Sequence, residues 1–435
     1  MPMAGTLALS SEENAKHFFC MTSSKMGEQK MKKIILISAA VIIIHAMGDE
    51  AKEAALEAAL PGIFGESAAH YRSLDKAAML LSKDANGKEF YPHGYKAAKG
   101  ELDMHSIFSW TSGHFPGSLW YLFEATGAEE FKNKAIFWTE RLAPNSKADT
   151  NHDLGFIMYC SFGNARRLLD TKKYDGLLVE TAETLCARYN DSLGLIRSWG
   201  KRTETKNFLV IPDNLMNLEL LEEAAKISGN VRFSMVARSH ATVTARHHFR
   251  EDGGCYHVLD YDQMTKRVKE VRRGQGASTE TAWSRGQSWC IYGYTMMFRE
   301  TKDPLFLSMA QKCADFAIDN PNMPEDGVPF WDYGAAGEER DSSAGSVMAS
   351  GLLELSTFVT GAKSAKYRAF AVKVLTSLAS PTYFAIQGEN GDFLLKHGVG
   401  AKPSNSEIDT PLIYGDYYFL EGLLRFRKLR SKGSF

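Results

Sequence analysis

Residues 210–233 read VIPDNLMNLELLEEAAKISGNVRF, and this stretch shows the unit from which the chain is built. The turn Ser228–Phe233 combines a Gly that stops one helix with an Asn that starts another. The two segments therefore form an αα-hairpin, two helices joined by a short turn. Before the turn, apolar residues recur at the three- and four-residue steps of a buried helical stripe: Leu215, Leu218, Leu221 and Ala225.

Four other segments repeat this pattern of helical segment, polar turn, aromatic residue and second helical segment. Their turns are Thr126–Phe131, Asp170–Tyr174, Thr301–Phe306 and Thr360–Tyr367. Five hairpins give ten helices, and two more are expected near Ser67–Leu81 and Asp416–Lys428. Twelve helices in hairpins of about 60 residues predict an all-α (α/α)6 barrel, a toroid of six hairpins closed by its first and last helices. An open helical solenoid is the alternative, but its period would be nearer ~34 residues.

The N-terminal region carries a different signal. Met31, Lys32 and Lys33 precede an apolar run from Ile34 to Ile44, followed by small residues. This pattern is typical of a secretory signal peptide, and the run is short for a membrane span. We therefore expect an unstructured extension at residues 1–30, a signal peptide at 31–48 and a single (α/α)6 domain at 60–430. The protein would then be periplasmic or secreted, without a membrane anchor after signal removal. A short buried helix is the alternative interpretation.

Composition limits the possible partners. The chain has 51 Lys and Arg against 52 Asp and Glu, a formal charge of −1, so it lacks the basic field of a nucleic-acid-binding protein. An anionic ligand would instead bind to a few individual Lys or Arg side chains within its site. The six cysteines include no CxxC pair and indicate neither a zinc site nor a dense disulfide framework.

Two aspartates stand where a loop enters a helical segment. Asp153 lies in the segment His152–Phe156, and Asp213 follows Ile211 and Pro212 in an apolar stretch. Each fits a helix N-cap, but each also fits a carboxyl group that faces a cavity. Apolar surroundings and a second carboxylate both raise a carboxyl pKa, so such a pair can supply a protonated acid near neutral pH. Asp213 is the better candidate for that acid.

Other candidate residues carry weaker signals. Arg285 and Trp289 are four residues apart on one predicted helix, where a guanidinium beside an indole could hold an anionic sugar ring. The alternative is a surface arginine packed on a core tryptophan. His240, His247 and His248 are expected to form a solvated basic face rather than a metal site. The glycines near residue 275 do not match a nucleotide-binding fingerprint.

These segments together resemble the unsaturated glucuronyl hydrolases, glycoside hydrolase family 88, over most of the chain from about Tyr91 to Phe426. The likeness is carried by five motifs in order: Ser109–Gly117, His152–Phe156, Asp213–Leu218, Gly253–Val258 and Trp283–Trp289. The resemblance implies an (α/α)6 barrel and a hydrolase that needs no metal or organic cofactor. Its substrate would be an oligosaccharide made by a polysaccharide lyase, from which it removes the non-reducing-end 4,5-unsaturated uronic acid.

The resemblance also implies roles for particular residues. Asp213 matches the family's general acid and base, and Asp153 matches the carboxylate that holds the ring hydroxyls and tunes its partner. Two positions depart from the family pattern, His114 and Ser109, and both are expected to alter the rim of the site. Seven further residues match positions that line the subsite for the unsaturated ring: Trp110, His152, Trp199, His257, Gln275, Arg285 and Trp289.

The sequence is also compatible with three other functions. An unsaturated rhamnogalacturonyl hydrolase would share the barrel and mechanism but act on pectin fragments. An inverting hydrolase of saturated sugars would hold its two carboxylates further apart. A non-catalytic helical sugar-binding protein would lose binding, rather than turnover alone, when Asp213 is replaced by Asn. The preferred polysaccharide, linkage and sulfation pattern are also open.

Overall fold

The computed structural model describes residues 48–432. The expected extension at 1–30 and the expected signal peptide, apart from Gly48, lie outside the described residues. The described chain contains twelve α-helices: α1 Asp49–Leu81, α2 His114–Thr126, α3 Glu129–Glu140, α4 Asn164–Leu169, α5 Asp175–Cys186, α6 Leu218–Ser228, α7 Val231–His247, α8 Ser284–Thr301, α9 Pro304–Ile318, α10 Ser342–Ser356, α11 Gly361–Leu378 and α12 Ile413–Lys432.

The helices form two concentric rings. The even-numbered helices form the inner ring, and α4 is extended at its start by a π-helix, Gly155–Gly163. Inner helices are buried on nearly all sides, as in α10, where every residue from Ser342 to Ser356 is buried. The odd-numbered helices surround them, and α12 packs against α10 and α2 to close the inner ring. This arrangement confirms the predicted (α/α)6 barrel.

The helix bounds agree with four of the five predicted turns, but most of the predicted turn Thr360–Tyr367 is helical, since α11 begins at Gly361. A larger difference lies at the N-terminal end. Helix α1 begins at Asp49, well before the predicted Ser67 and before residue 60, where the predicted domain starts. Its first turns are rich in Ala and Glu, which favour helix, and they bury Leu56 and Leu60. Pro61 lies inside this helix and is exposed.

Short strands lie in the loops at the end of the barrel where the inner helices begin. Strands β1 (Phe90–Lys96) and β2 (Glu101–Ser106) form an antiparallel hairpin, and β3 (Tyr189–Asn190) pairs with β4 (Leu195–Ile196). A three-stranded antiparallel sheet follows the order β5-β6-β7, with Leu209 opposite Asp260 and Leu259 opposite Val271. Its strands are β5 Leu209–Val210, β6 Val258–Tyr261 and β7 Val268–Arg272.

Candidate active site

The predicted site residues collect where the inner helices begin. His114 is the first residue of α2, Asp153 stands just before the π-helix that leads into α4, and Arg285 lies in the first turn of α8. Asp213 lies in a short 3-10 helix, Pro212–Asn217, that runs directly into α6. Helix N-termini carry partial positive charge, so this end of the barrel favours an anionic ligand.

The Asp213 carboxyl group is enclosed and poorly solvated. Its side chain is 13% exposed, and its Oδ1 has no hydrogen-bond partner among the described residues. The Nε2 of His257 lies 3.8 Å from Oδ1. Burial raises the pKa of Asp213 to about 7, although the positive charge of Arg285 opposes the increase. This carboxyl group can therefore hold a proton close to neutral pH.

Asp153 lies in a similar environment. Its side chain is 12% exposed, and Oδ1 lies 3.3 Å from the Nε2 of His152. Burial and, after it, the negative charge of Asp213 raise the pKa of Asp153 to about 7, while Arg188 and Asn217 act in the opposite direction. The charge of Asp213 disfavours ionisation of Asp153, and since such coupling is mutual we expect the two groups to titrate as a coupled pair. We call Asp153 and Asp213 the carboxyl dyad.

The N-cap alternative for these aspartates is wrong, because neither side chain accepts a hydrogen bond from its helix. Near Asp153, another residue accepts the hydrogen bond that an N-cap would accept. The backbone N–H of Phe156, which an N-cap at Asp153 would bind, donates instead to the Oδ1 of Asn217, 3.0 Å away. Asn217 approaches this closely because residue 155 is glycine, whose Cβ would stand 2.5 Å from the Asn217 Cα. The carboxyl group of Asp153 is thereby left available to a ligand.

Asn217 therefore links the segment that carries Asp153 to the segment that carries Asp213. Replacing Asn217 tests whether this link influences the dyad. Asn217 is fully buried, and its amide nitrogen has no hydrogen-bond partner among the described residues. Since Asn217 also lowers the pKa of Asp153, we expect Asn217→Asp to raise that pKa and move the acid limb of the kcat/KM profile to higher pH. The pH dependence of kcat/KM measures the shift. An unchanged profile with reduced stability would make Asn217 a packing residue only.

Two buried histidines face the dyad in their neutral form. Burial, followed by the charge of Arg285, lowers the pKa of His257 to about 3. Its Nδ1 accepts the backbone N–H of Gln275 at 2.7 Å, so the ring proton sits on Nε2, which points toward Asp213. Burial also lowers the pKa of His152 well below its usual range. Both imidazoles can therefore donate or accept hydrogen bonds without adding charge.

Arg285 differs from the sequence expectation in its contacts. Its guanidinium lies over Trp283 at 4.4 Å and Tyr414 at 5.1 Å, so the expected pairing with Trp289 is wrong. It is 1% exposed and donates to Asp341 at 2.8 Å and to the carbonyl of Gly400 at 2.7 Å. The alternative of a surface arginine is wrong as well. Arg285 supplies positive charge from beneath the site while holding the loop at Gly400 in place.

The three predicted tryptophans occupy different depths. Trp199 is 37% exposed and lies edge-on to His152, with ring centroids 6.3 Å apart. Trp110 is half-buried and packs on Tyr414 at 4.7 Å. Trp289 is fully buried against Phe156 and is part of the packing below the dyad. Only Trp199 and Trp110 are exposed enough to offer a ring face to a ligand.

The remaining predicted site residues, Gln275, His114 and Ser109, differ in how deeply they are buried. Gln275 is half-buried, and its side-chain amide donates to the Gly400 carbonyl at 3.0 Å. His114 is fully buried among aromatic rings, and burial lowers its pKa to about 3, so its expected place on the rim is wrong. Ser109 is half-buried, with its hydroxyl 3.1 Å from that of Thr111.

Three residues for which the sequence predicts no site role also lie here. Trp283 lies between His257, 4.5 Å away, and Arg285. Tyr414 keeps a buried hydroxyl without a hydrogen bond among the described residues. Asn217 stands four residues after Asp213, and that helical spacing was the available signal.

The described residues include one cluster of potential metal ligands, His93, His105 and Glu407. The two imidazole rings are stacked at 3.8 Å and nearly parallel, so their in-plane lone pairs do not converge on one point. The solvated face expected for His240 and His248 is wrong, because both are fully buried.

A cavity of about 930 Å³ lies at the other end of the barrel, where the inner helices end. Its lining includes many ionic side chains, but they bind one another. Arg299 pairs with Glu219 and Glu354, and Glu421 accepts hydrogen bonds from Tyr121 and Tyr292. The candidate site therefore remains at the end that carries the dyad.

The raised pKa values have a consequence for stability. A carboxyl pKa near 7 in the folded protein, against about 4 in the unfolded chain, means that folding favours the protonated form. This contribution is present at pH 4 and is lost as pH rises through 7. We therefore expect Asp213→Asn to increase the free energy of unfolding at pH 8 by on the order of 2 kcal/mol, and by much less at pH 4.5. Denaturant unfolding at the two pH values measures this; equal effects at both would contradict it.

Comparisons with known proteins place the chain among enzymes of one kind. No family model matches it. An unsaturated glucuronyl hydrolase from Formosa agariphila is 40% identical over 366 residues, which cover 83% of this chain and 91% of that protein. An unsaturated chondroitin disaccharide hydrolase from Streptococcus pyogenes is 32% identical over 73% of this chain and 81% of its own length. A solved unsaturated glucuronyl hydrolase specific for heparin superposes with a TM-score of 0.78 at 40% identity, covering 85% of this chain and 98% of that one.

Proposed function

The chain belongs to the unsaturated glucuronyl hydrolases, and on that premise we propose that it removes a 4,5-unsaturated uronic acid from the non-reducing end of lyase-generated, glycosaminoglycan-type disaccharides. The observation that carries this proposal is the carboxyl dyad. Of two enclosed carboxyl groups, each with a pKa of about 7, one can be protonated while the other is ionised at the pH where the reaction needs both an acid and a base.

The substrate is activated by its own double bond. The C4=C5 bond of an unsaturated uronic acid is conjugated with the ring oxygen, as in a vinyl ether. Protonation at C4 therefore leaves a positive charge shared by C5 and the ring oxygen. We assign this proton transfer to Asp213, whose carboxyl group is buried and has no hydrogen-bond partner at Oδ1 among the described residues.

The same carboxylate then acts as a base. Asp213 takes a proton from water, and the resulting hydroxide adds to C5 to give a hemiketal. When the hemiketal opens, the bond from C5 to the ring oxygen breaks, C5 becomes a ketone, and C1 is left as a hemiacetal. That hemiacetal expels the second sugar as an alcohol and becomes an aldehyde. One water is consumed, the proton on Asp213 is restored, and no oxidant or metal takes part in these steps.

The other site residues bind and orient the ring. Asp153 would accept hydrogen bonds from ring hydroxyls and, through its charge, keep the pKa of Asp213 high. His257 would donate from Nε2, whose proton is fixed by the Gln275 N–H at Nδ1. Trp110 and Trp199 would cover the sugar faces. The uronate carboxylate would lie near the N-termini of the inner helices and the buried charge of Arg285.

A spectroscopic assay tests the proposal. The conjugated double bond absorbs in the ultraviolet, and its loss can be followed during incubation with a panel of lyase-made disaccharides. We expect decay with at least one glycosaminoglycan-type disaccharide. A saturated disaccharide lacks the absorbing bond, so its cleavage is followed by chromatography of the products, and we expect none. Decay only with unsaturated rhamnogalacturonan fragments would favour the pectin alternative, and cleavage of the saturated sugar would favour an ordinary hydrolase.

We also propose that the protein is exported, as the segment from Met31 to Ile44 indicates. Between residues 48 and 432 no helix combines the length and apolarity needed to cross a membrane. The mass of the protein recovered from the periplasm or medium would test this proposal, since export with cleavage removes the segment before about residue 49.

A further inference from the structure

Arg188 is a second buried cation at the dyad end of the barrel. It immediately precedes β3 and is 3% exposed. None of its nitrogen atoms pairs with a carboxylate in the described part of the chain. A buried guanidinium group with such partners keeps its positive charge uncompensated by any nearby anion. Its hydrogen bonds go to four backbone carbonyl groups, those of Asp149, Arg197, Ser198 and Gly200.

Two of these hydrogen bonds join the loop that carries Asp153 to the segment that follows β4. The Asp149 carbonyl lies four residues before Asp153, and Nη2 of Arg188 donates to the Ser198 carbonyl at 3.3 Å. The same Ser198 carbonyl accepts the backbone N–H of His152 at 3.2 Å. Arg188 and His152 therefore connect the same two segments, and together they fix the backbone beside Asp153.

Ser198 extends this connection to the Asp213 side of the dyad. Its hydroxyl oxygen accepts the backbone N–H of Ile211 at 3.0 Å, and its own N–H donates to the Leu209 carbonyl at 2.8 Å. Ile211 stands two residues before Asp213. The segment that Arg188 holds is therefore hydrogen-bonded to the segments of both dyad members.

The two buried arginines at this end of the barrel differ in their partners. Arg285, whose charge acts on Asp213, pairs with Asp341 at 2.8 Å, so an adjacent negative charge offsets its positive charge. Burial is the main influence on the pKa of Asp153, and the charge of Arg188 opposes it. Because Arg188 has no carboxylate partner in the described chain, Asp153 is exposed to an uncompensated cation, whereas Asp213 is not.

Other charged groups near this guanidinium group leave the difference in place. Asp149 and Arg202 pair with each other at 2.8 Å. Arg197 donates to backbone carbonyl groups and so adds positive charge on the same side of the dyad. His152, 3.3 Å from the Asp153 carboxylate, is neutral because burial lowers its pKa well below its usual range.

We propose that Arg188 is a positioning residue that keeps Asp153 ionised and thereby places the single proton of the dyad on Asp213. This inference rests on the proposed function, in which one carboxyl group donates a proton while the other holds the ring hydroxyls. A cation without a carboxylate partner stabilises the ionised form of the carboxyl group on which it acts. The inference explains how two carboxyl groups with similar burial take different roles.

The planar shape of the guanidinium group serves the second part of this role. Its donors point in fixed directions and reach four carbonyl groups, whereas the ammonium group of a lysine has three donors. A lysine at position 188 would therefore keep the charge but not the complete set of hydrogen bonds. The two contributions of Arg188, its charge and the backbone spacing of the dyad, can thus be separated by substitution.

Rate profiles of two variants test the inference. Arg188→Gln removes the charge and the hydrogen bonds, so kcat should fall about 10²-fold, as expected when a site is displaced. The acid limb of kcat/KM should also move to higher pH, because Asp153 then holds its proton more tightly. Arg188→Lys should lower kcat as well but leave the acid limb near that of the wild type. A merely structural role would leave this limb unmoved in Arg188→Gln.

The location of the proton can be measured without a substrate. In protein labelled with ¹³C at the aspartate carboxyl carbons, we expect the first titration step on raising the pH to change mainly the Asp153 signal. In Arg188→Gln, the Asp213 signal should share that step or precede it. If Arg188→Gln does not fold, the wild type still decides the question, because an Asp213 signal that titrates first would overturn the inference.

Arg427 provides a matched control at the other end of the barrel. Its guanidinium group also binds backbone carbonyl groups, those of Glu124 and Ala125 at 3.0 and 2.9 Å, and it lines the cavity there. Arg427→Gln should leave the acid limb and the order of titration unchanged. An unmoved limb in Arg188→Gln, or an equal shift in the control, would overturn the inference while wild-type turnover supports the proposed function. A wild type without turnover of any unsaturated disaccharide would remove both.

Discussion

We expect Asp213→Asn to lower kcat by about 10³-fold or more, the usual range for removal of a positioned general acid and base. Asn has nearly the shape of Asp but cannot give a proton to C4 or take one from water. Because the Asp213 Oδ1 has no hydrogen-bond partner in the described chain, the substitution breaks no hydrogen bond at that atom. The protein should therefore stay folded and still bind the substrate. Ultraviolet decay of an unsaturated disaccharide measures kcat, and calorimetry measures binding.

A second buried aspartate provides the control. Burial raises the pKa of Asp416 to about 7 as well, but its carboxylate accepts backbone N–H groups from Leu394 and Leu395 at 2.8 and 3.0 Å. Asp416→Asn should cost stability, because one acceptor is lost, and should leave kcat of the folded protein near that of the wild type. If Asp213→Asn kept substantial turnover, the acid would have to be another group.

Asp153→Asn should have the second largest effect, with kcat/KM reduced about 10²-fold. Its carboxylate would hold the ring hydroxyls, and its charge disfavours ionisation of Asp213 because the coupling between two charges is mutual. Without that charge the pKa of Asp213 falls. The group that must be protonated then loses its proton at lower pH, so the alkaline limb of the rate profile should move toward acid.

The direction of this shift separates electrostatic coupling from simple loss of a contact. A series of kcat/KM values from pH 4.5 to about 9 would locate the alkaline limb in both proteins. A reduced rate with an unmoved limb would mean that Asp153 binds the ring but does not influence Asp213. A limb that moved to higher pH would contradict the proposed coupling.

The hairpins and the dyad could be read from the sequence because their signals are local. Helical periodicity and Gly turns depend on neighbouring residues, as in the segment from Leu215 to Gly229. Asp153 and Asp213 stand at helix starts, and in a barrel of hairpins such starts meet at one end. The distant segments are therefore brought together by topology alone.

Other features depend on contacts between distant residues, and these could not be predicted. The orientation of Arg285 is decided by Asp341 and by the carbonyl of Gly400, more than 50 and 100 residues away. Asn217 replaces Asp153 as the acceptor for the Phe156 N–H only because Gly155 allows its approach. Nor does sequence spacing reveal that the His114 imidazole is buried rather than placed at the rim.

The proposed chemistry requires that the two carboxyl groups lie in one enclosed site in which one keeps its proton to near neutral pH. Protein labelled with ¹³C at the aspartate carboxyl carbons can be titrated by nuclear magnetic resonance, with Asp153→Asn and Asp213→Asn to assign the signals. We expect both dyad signals to titrate far above the usual value, near 7, and each to move to lower pH when the other residue is Asn. Titration of both near 4, unaffected by either substitution, would contradict the account.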